Sequence, residues 1–354
     1  MRDRLIAFEH GKNVMKRTFA CFVVLLFTAG SSNLQAVEMT LSPSRPPEAA
    51  NKLRLWPEAE KQIAADAVPL YALAVQSLPG DLKEEQIEQI RQWLGSPPNG
   101  LPLDEVQAVL QRLGPALKLV EQAVLCSQCN WPAVTPPAMP VNLREYRTLA
   151  HALALKARFE IAQGRYDQAA IAIRTGLVAA KQIGEGTTLI QGTVGVAIGA
   201  LTLRQVEEFV QGAVAPNIYE ALRQLPKPLV DLNKAVAIEM ANLKSDPKLN
   251  VLTRQIMERQ IKPAHDRALL TMKKLDRQAA ALQCIEALRL YAGTHNGSLP
   301  EKLSEITQAQ VPDDPIIGKP FGYSRMGANA VLEAPLPEGG NAKDAMRYEL
   351  KLRK

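Results

Sequence analysis

Apolar residues recur at three- and four-residue intervals along most of the chain, and this spacing predicts a mainly α-helical protein. The most regular part runs from residue 143 to 183, where two amphipathic helices flank the turn Gly164-Arg165-Tyr166-Asp167. The next helix carries glycines at positions 192, 195 and 199. Because glycine weakens a helix, we expect another helix to pack tightly against these positions.

Prolines divide the rest of the helical pattern. The pattern predicts one helix from Pro57 onwards, which Pro69 should kink or split, and two separate helices on either side of Gly114-Pro115. A long charged helical stretch farther along should break near Asp246-Pro247 and Lys262-Pro263. We therefore expect an irregular array of helices.

The last 60 residues change to the alternation that is typical of a strand. Met346, Tyr348, Leu350 and Leu352 alternate with charged residues, and an apolar run occurs at Ala330-Val331-Leu332. This pattern predicts a short antiparallel sheet that packs against the preceding helix. The predicted fold class is therefore mainly α, with a small C-terminal α+β unit.

The turn inside the regular hairpin has the spacing of a tetratricopeptide repeat. Gly164, Tyr166, Ala169 and Ile173 match the inter-helix part of that repeat, where glycine permits the turn and alanine lets the helices approach closely. No second copy follows at the repeat's period of about 34 residues, and a solenoid needs about three copies. The sequence therefore predicts one tetratricopeptide-like hairpin.

Residues 1–36 have the parts of a secretory signal peptide. Lys16 and Arg17 precede a short apolar run, and small residues lead to cleavage after Ala36. The apolar run is shorter than the roughly 20 residues of a membrane span, so we expect cleavage and no stable span afterwards. Translation is expected to start at Met15. The mature protein is predicted to be exported, to the periplasm or cell envelope.

The remaining chain is predicted to have three parts. Residues 37–52, which contain three prolines, are expected to form a flexible leader. A helical domain follows at 53–295 and contains a Cys- and Pro-rich loop at 126–142. The small β-containing unit occupies residues 296–354.

The charge balance argues against a nucleic-acid partner. The 354 residues include 42 Lys and Arg against 36 Asp and Glu, and residues 1–36 contribute five of the former and two of the latter. A net charge of about +3 on the mature chain is not the concentrated basic face of a nucleic-acid-binding protein.

Cys126 and Cys129 form the most recognisable chemical spacing. A redox dithiol would need a strand before the motif and a helix after it. Haem attachment would need histidine at position 130, which is Asn130, and zinc would need two further ligands. In an oxidising compartment a local disulfide is the favoured interpretation, and a redox role is the alternative. We expect no metal and no cofactor.

A polar stretch beside flexible glycines is the best candidate for a pocket. Capping of the next helix by Thr187 is an equally simple explanation. An enzyme would have to combine this stretch with distant residues such as Arg144 or His151, and we assign no catalytic residue. The candidate pocket residues are Glu185, Thr187, Thr188 and Gln191.

Cys129-Asn130-Trp131, the run from Gly184 to Gly192 and further motifs up to the C-terminus resemble a family of exported proteins common in planctomycete-type bacteria. The resemblance indicates membership and implies no activity. The C-terminal motifs also resemble the globular end of type II secretion pseudopilins, without their long N-terminal helix or calcium loop. The motifs are Cys129-Asn130-Trp131, the hairpin 144–170, Gly184 to Gly192, Val206-Glu207-Glu208, Ala215 to Tyr219, Leu225 to Pro228, Leu299-Pro300, Asp314-Pro315 and Gly318 to Phe321.

Three features together predict a non-enzymatic interaction or scaffold protein with a protein or peptide partner. They are the export signal, a hairpin that elsewhere presents grooves to peptides, and the lack of an assembled catalytic set. The alternatives are an enzyme with a pocket near residues 185–191 and a thiol redox protein that uses the Cys-x-x-Cys. A part in a secretion assembly rests on the C-terminal resemblance alone.

Overall fold

The computed structural model describes residues 36–46, 53–132, 143–247, 249–338 and 340–353. The predicted signal peptide, apart from Ala36, lies outside these residues, as do positions 47–52 of the leader and most of the loop at 126–142. The prediction of a mainly α-helical fold with a small sheet near the C-terminus is confirmed.

One hydrophobic core joins the helices to the C-terminal sheet, and the described residues contain nine α-helices. They are α1 Val68–Gln76, α2 Glu84–Gly95, α3 Leu103–Ala123, α4 Leu143–Ala162, α5 Tyr166–Gly184, α6 Leu189–Val210, α7 Tyr219–Arg223, α8 Asn233–Ser245 and α9 Val251–Thr294.

The strands form one four-stranded sheet and two short pairs. The large sheet has the order β1-β8-β7-β6, β2 pairs with β3, and β4 pairs with β5. The strands are β1 Val37–Leu41, β2 Ile63–Asp66, β3 Cys126–Gln128, β4 Asp313–Asp314, β5 Lys319–Pro320, β6 Gly322–Met326, β7 Asn329–Ala334 and β8 Met346–Leu352.

The regular hairpin predicted at 143–183 is formed by α4 and α5. Its turn passes through Gly164, whose φ of 69° lies in the left-handed region that glycine adopts without strain. Nearly every residue of α5 from Ala169 to Gly184 is buried. The hairpin is therefore part of the core, and α6 covers the face that a free repeat would expose.

The glycines of α6 lie where neighbouring helices approach closely, as their positions predict. A Cβ on Gly195 would lie 2.3 Å from the Cα of Gly184 and 2.5 Å from the carbonyl oxygen of Ala180, both in α5. A Cβ on Gly199 would instead meet a methyl group of Leu275 in α9 at 2.9 Å. The expected tight packing is confirmed, with backbone facing Gly195 and a side chain facing Gly199.

Two predicted helix breaks are wrong. α3 continues through Gly114-Pro115, and α9 continues through Lys262-Pro263. Proline removes one N–H from the hydrogen-bond ladder, but Leu117 and Ala268 just beyond these sites are buried. Most helical stability comes from the packing of such faces, so each helix persists. The break near Asp246-Pro247 separates α8 from α9 and is confirmed.

The helix predicted from Pro57 is also wrong in its first part. Ile63–Asp66 form β2, which pairs in parallel with β3 so that Ile63 lies opposite Cys126. The helix begins only at Val68. Pro69 is therefore in the first turn of α1, where a backbone N–H has no hydrogen-bond acceptor within the helix, so proline removes no bond there.

The predicted flexible leader at 37–52 is wrong for its first five residues. Val37–Leu41 form β1, an edge strand that pairs in parallel with β8. Met39 and Leu41 point into the core and are 1% and 0% exposed. The antiparallel pairing of β6, β7 and β8 agrees with the sequence pattern, whereas the parallel edge comes from the opposite end of the chain.

Buried ion pairs fix α9 to the segments around it. Arg277 lies 2.8 Å from Asp314, and Arg289 lies 2.6 Å from Glu286, with all four side chains fully buried. Arg289 Nε also donates a hydrogen bond to Ser42 O at 3.0 Å. A buried charge without a partner is strongly destabilising. Arg277 thus links α9 to β4, and Arg289, which Glu286 of the same helix holds in place, links α9 to the segment after β1.

Candidate functional site

Cys126 and Cys129, for which the sequence predicts a local disulfide, are both free thiols in this structure. Cys126 begins β3, and three residues of extended chain span roughly 10 Å. The Cα atoms of a disulfide lie within about 7 Å of each other. Cys126 Sγ donates to Gln122 O at 3.7 Å, whereas Cys129 Sγ donates to Gln182 O at 3.4 Å. The two thiols therefore have separate partners.

The environment of these thiols also disfavours redox chemistry. Burial raises the pKa of Cys129 to about 12, and the carboxylates of Asp66 and Glu185 act in the same direction. Burial raises the pKa of Cys126 as well. A reactive cysteine needs a lowered pKa, because the thiolate is the nucleophile. The burial of both thiols and their raised pKa values thus oppose the redox alternative.

Gln182 explains the role of the Cys-x-x-Cys segment in the fold. Its Oε1 accepts a hydrogen bond from Tyr71 Oη at 2.7 Å, and its Nε2 donates to Cys126 O at 3.1 Å. Trp131 Nε1 donates to Gln182 O at 2.7 Å, and the Trp131 ring stacks on Tyr71 with 6.1 Å between centroids. The segment joins β3 to α5 through bonds that the protein satisfies internally.

Three of the four predicted pocket residues each have a separate partner within the protein. Thr188, and not Thr187, caps α6, and its hydroxyl accepts a hydrogen bond from Gln191 N at 3.2 Å. Thr187 Oγ1 donates to Pro132 O at 3.4 Å. Glu185 forms an ion pair with Lys181. These side chains point to different partners and do not converge on one space.

Gln191 differs from the other three because it is buried without a partner. It is 1% exposed, and neither Oε1 nor Nε2 has a hydrogen bond. Its amide lies against Gly186, where a Cβ would fall 2.0 Å from Gln191 Cδ. An unsatisfied buried amide costs ~1–3 kcal/mol. The position lacks the access to solvent that a ligand-binding group needs.

Arg144 and His151 do not complete an active site with this stretch. Arg144 forms an exposed ion pair with Glu84 at 3.0 Å. His151 Nδ1 lies 2.8 Å from Arg147 O, and burial lowers the pKa of His151 to about 4. In the described parts of the chain, neither side chain bonds to any residue from 185 to 191. The enzyme alternative therefore has no converging set in this region.

A carboxylate–imidazole pair that the sequence did not indicate lies beside the start of α6. Glu239 Oε1 accepts a hydrogen bond from Leu189 N at 3.1 Å, and Glu239 Oε2 lies 3.0 Å from His265 Nε2. The two residues are on different helices, which is why sequence spacing could not reveal the pair. His265 is buried, and the bonds attach α8 to both α6 and α9.

α8 and the first part of α9 form an arm, defined here as residues 233–247 and 249–264, which the Glu239–His265 pair attaches to the rest of the protein. None of residues 251–264 is buried, although this part of α9 is roughly 21 Å long. Val251 and Leu252 are each 67% exposed, and Ile256 is 48% exposed. Large apolar side chains grouped on one surface are typical of an interaction site.

A second candidate is an open cleft of about 730 Å³ at the end of the large sheet, which we call the C-terminal cleft. It lies where β1, α9, the β6–β7 turn and β8 end close together. Its polar lining includes two arginines and no carboxylate. The residues that line it are Ser42, Pro43, Ala213, Asn296, Gly297, Ser298, Leu299, Arg325, Gly327, Ala328, Leu352 and Arg353.

Two properties of the described residues concern metal binding and membrane crossing. These residues hold no group of three His, Cys, Asp or Glu side chains placed to bind a metal ion. Among them one helix, α6, is long and apolar enough to cross a membrane, and 67% of its most apolar window is buried inside the protein. Core helices pass the same test of length and hydropathy.

Comparison with known proteins gives no relative: no family model, no curated protein and no solved structure matches this chain. The resemblance to exported planctomycete-type proteins and to pseudopilins therefore stays a prediction.

Proposed function

We propose that this protein is an exported interaction protein of the periplasm or cell envelope, which binds a protein partner through the arm. The observation that carries the proposal is the exposure of Val251, Leu252 and Ile256 on one part of α9. Export rests on the signal-peptide pattern of residues 1–36. The hairpin of α4 and α5 is a weaker candidate for the docking surface, because α6 covers it.

The pattern of burial in α9 separates an inner face from an outer face. Partly buried residues recur at 253, 257, 261 and 264, whereas Leu252, Ile256, Arg259 and Pro263 are exposed. Both sets have the spacing of one helical stripe. The outer stripe thus presents two large aliphatic side chains followed by a cation.

The charges beside this stripe indicate the kind of partner. Lys262 is paired with Asp266, whereas Arg259 has no ion pair or hydrogen bond with the described residues. A helix that offers apolar positions and carboxylates at the same spacing would cover the aliphatic side chains and pair with Arg259. The partner we propose is therefore an acidic amphipathic helix of another envelope protein.

The exposed aliphatic surface is large enough to contribute to a complex. The three side chains expose the equivalent of roughly two whole side chains, which corresponds to ~3–6 kcal/mol on complete burial. Association costs offset a part of this gain, so the pairing with Arg259 and further contacts must add to it.

The test captures partners from the envelope of the protein's own host with mild crosslinking and mass spectrometry. The double variant Leu252→Glu/Ile256→Glu should weaken capture by about 3 kcal/mol, or roughly hundredfold. Val214→Glu is the matched control, because Val214 is 81% exposed but lies outside the arm.

The proposal requires that the crosslinked partner peptide be acidic and amphipathic and that it join residues of the arm. It is wrong if the double variant and the control capture the partner equally. It is also wrong if light scattering shows a dimer that only the double variant abolishes, since the occupant would then be a second copy of the chain.

A further inference from the structure

The C-terminal cleft is separate from the arm and has the size and chemistry of a small-ligand site. Its volume of about 730 Å³ is within the roughly 300–1,000 Å³ of typical ligand pockets. Four segments that are distant in sequence form it: the residues after β1, Ala213 after α6, residues 296–299 after α9, and the ends of β6 and β8 with the turn between β6 and β7. The pairing of β1 with β8 brings Ser42 and Pro43 to one wall of this cleft.

The backbone around the cleft is held firmly. Arg353 N donates a hydrogen bond to Leu41 O at 2.8 Å, which extends the β1–β8 pairing to the rim. Asn296 and Gly297 have φ angles of 52° and 72° and turn the chain at the end of α9. Gly297 N donates to Ala292 O at 2.9 Å and closes this turn. The cleft is therefore preformed.

Arg325 supplies a positioned guanidinium. Its Nε donates to Gly327 O at 2.9 Å, and its Nη1 donates to Leu299 O at 2.7 Å and to Glu301 Oε1 at 2.9 Å. Its Nη2 makes no hydrogen bond with the described residues and is not buried. Because three hydrogen bonds already hold this guanidinium, its Nη2 can donate to a ligand without a further loss of side-chain entropy.

Arg353 supplies a second guanidinium, which has no ion pair in the described part of the chain. Its side chain is exposed. Two neutral side chains, those of Asn296 and Ser298, also line the cleft and form no hydrogen bond with other described residues. No aspartate or glutamate is among the lining residues. The unpaired groups are thus mainly donors, and their net charge favours an anion.

The remaining walls of the cleft select among anions. Leu352 and Ala213 place aliphatic surface beside the donors, and Leu299 lies buried behind them. Inorganic phosphate gains nothing from such a wall, whereas a carboxylate that carries an aliphatic group can bury that group against it. A planar carboxylate also matches the two parallel N–H donors of a guanidinium.

We propose that the C-terminal cleft binds a carboxylate with an attached aliphatic group, with Arg353 as the principal cation and Arg325, Ser298 and Asn296 as further donors. Two sources have this chemistry: the free C-terminus of a peptide and a small free carboxylic acid. Capture of a terminal carboxylate is a known mode of peptide recognition.

The experiment titrates the full mature protein by calorimetry with four probes: trialanine, trialanine amide, propionate and inorganic phosphate. We expect trialanine or propionate to bind saturably and amidation to weaken trialanine binding at least about tenfold, because the amide loses the charged acceptor. Trialanine above propionate would assign the site to peptide termini, and the reverse order would assign it to free acids.

The key variant is Arg353→Gln, which should weaken binding of the carboxylate about tenfold or more. Arg347→Gln is the matched control, because Arg347 is a cation of the same strand that pairs with Glu333 and Glu349 outside the cleft. The proposal is wrong if both variants bind alike, if the amide binds as well as the acid, if phosphate binds most tightly, or if no probe binds at millimolar concentration.

Discussion

Replacement of Gly195 by alanine tests whether backbone contact between α5 and α6 determines the packing of the core. In a free helix, Gly→Ala would stabilise the protein by ~1 kcal/mol, because alanine has the higher helix propensity. In this protein the new Cβ would lie 2.3 Å from Gly184 Cα, 2.5 Å from Ala180 O and 2.7 Å from Gly184 N. All three atoms belong to the backbone, so they cannot move without the helix.

The two helices must separate by about 1 Å for the new methyl group to reach ordinary contact distance. A gap of this size removes a quarter to a half of the dispersion energy of each atom pair across the interface. Overpacking of this kind costs ~1–3 kcal/mol and in some cases more. Because the closest atoms belong to the backbone, we take ~3 kcal/mol, which leaves a net destabilisation of about 2 kcal/mol after the gain in helix propensity.

Gly199→Ala is the control in the same helix. It has the same gain in helix propensity, but its closest neighbour is a methyl group of Leu275 at 2.9 Å, and that side chain can rotate. We expect the unfolding free energy of this variant to stay within about 1 kcal/mol of the parent. The two variants should therefore differ by about 2 kcal/mol.

The assay is urea unfolding of the three proteins, followed by circular dichroism. Gly195→Ala should have a lower midpoint at an unchanged slope, and its Tm should fall by several degrees. Equal stability of the two variants, or a stabilised Gly195→Ala, would show that helix propensity outweighs the close contact and would refute the argument.

Two further predictions concern titratable groups. The pKa of Cys129 is raised to about 12. Its thiol should therefore react with iodoacetamide at about pH 8 far more slowly in the native protein than in urea. Rapid labelling of the native protein, or a Cys126–Cys129 disulfide found by mass spectrometry, would contradict the structure. The pKa of His151 is lowered to about 4 in the folded protein, so the unfolded chain binds more protons between about pH 6.5 and pH 4. As the pH falls across this window, the unfolding free energy should fall by about 1–2 kcal/mol, since the group is partly exposed. The variant His151→Gln should lack this part of the pH dependence. An unchanged pH profile in the variant would exclude His151 as its source.

The local parts of the fold were predictable from the sequence. The helical spacing at 143–183, the turn at Gly164 and the alternation in β8 each follow from periodicity within a few residues. The glycines of α6 also indicated a contact between helices, because the helix stability that glycine costs must be recovered by packing against another helix. Each of these signals depends on neighbours in the sequence.

The predictions that differ from the structure concern segments where contacts between distant residues outweigh the local conformational preference. Prolines 115 and 263 suggested helix ends, yet the buried faces of α3 and α9 keep these helices continuous. The prolines of the leader suggested flexibility, yet β1 gains a hydrogen-bonded partner from the last strand of the chain. In the same way, Cys126 and Cys129 suggested a disulfide, but the pairing of β3 with β2 extends the chain between them.

The candidate sites show most clearly the difference between what local sequence encodes and what only the tertiary structure decides. The sequence by itself determined the helical class, the hairpin, the strand alternation and the predicted export signal, because these features are encoded by residues that are close together in the chain. The exposure of Leu252 and Ile256, and the cleft that joins Ser42 to Arg353, were decided only by the tertiary structure. Burial and the meeting of distant segments depend on which faces the rest of the chain covers, and the free energy of that packing is not a property of any local pattern.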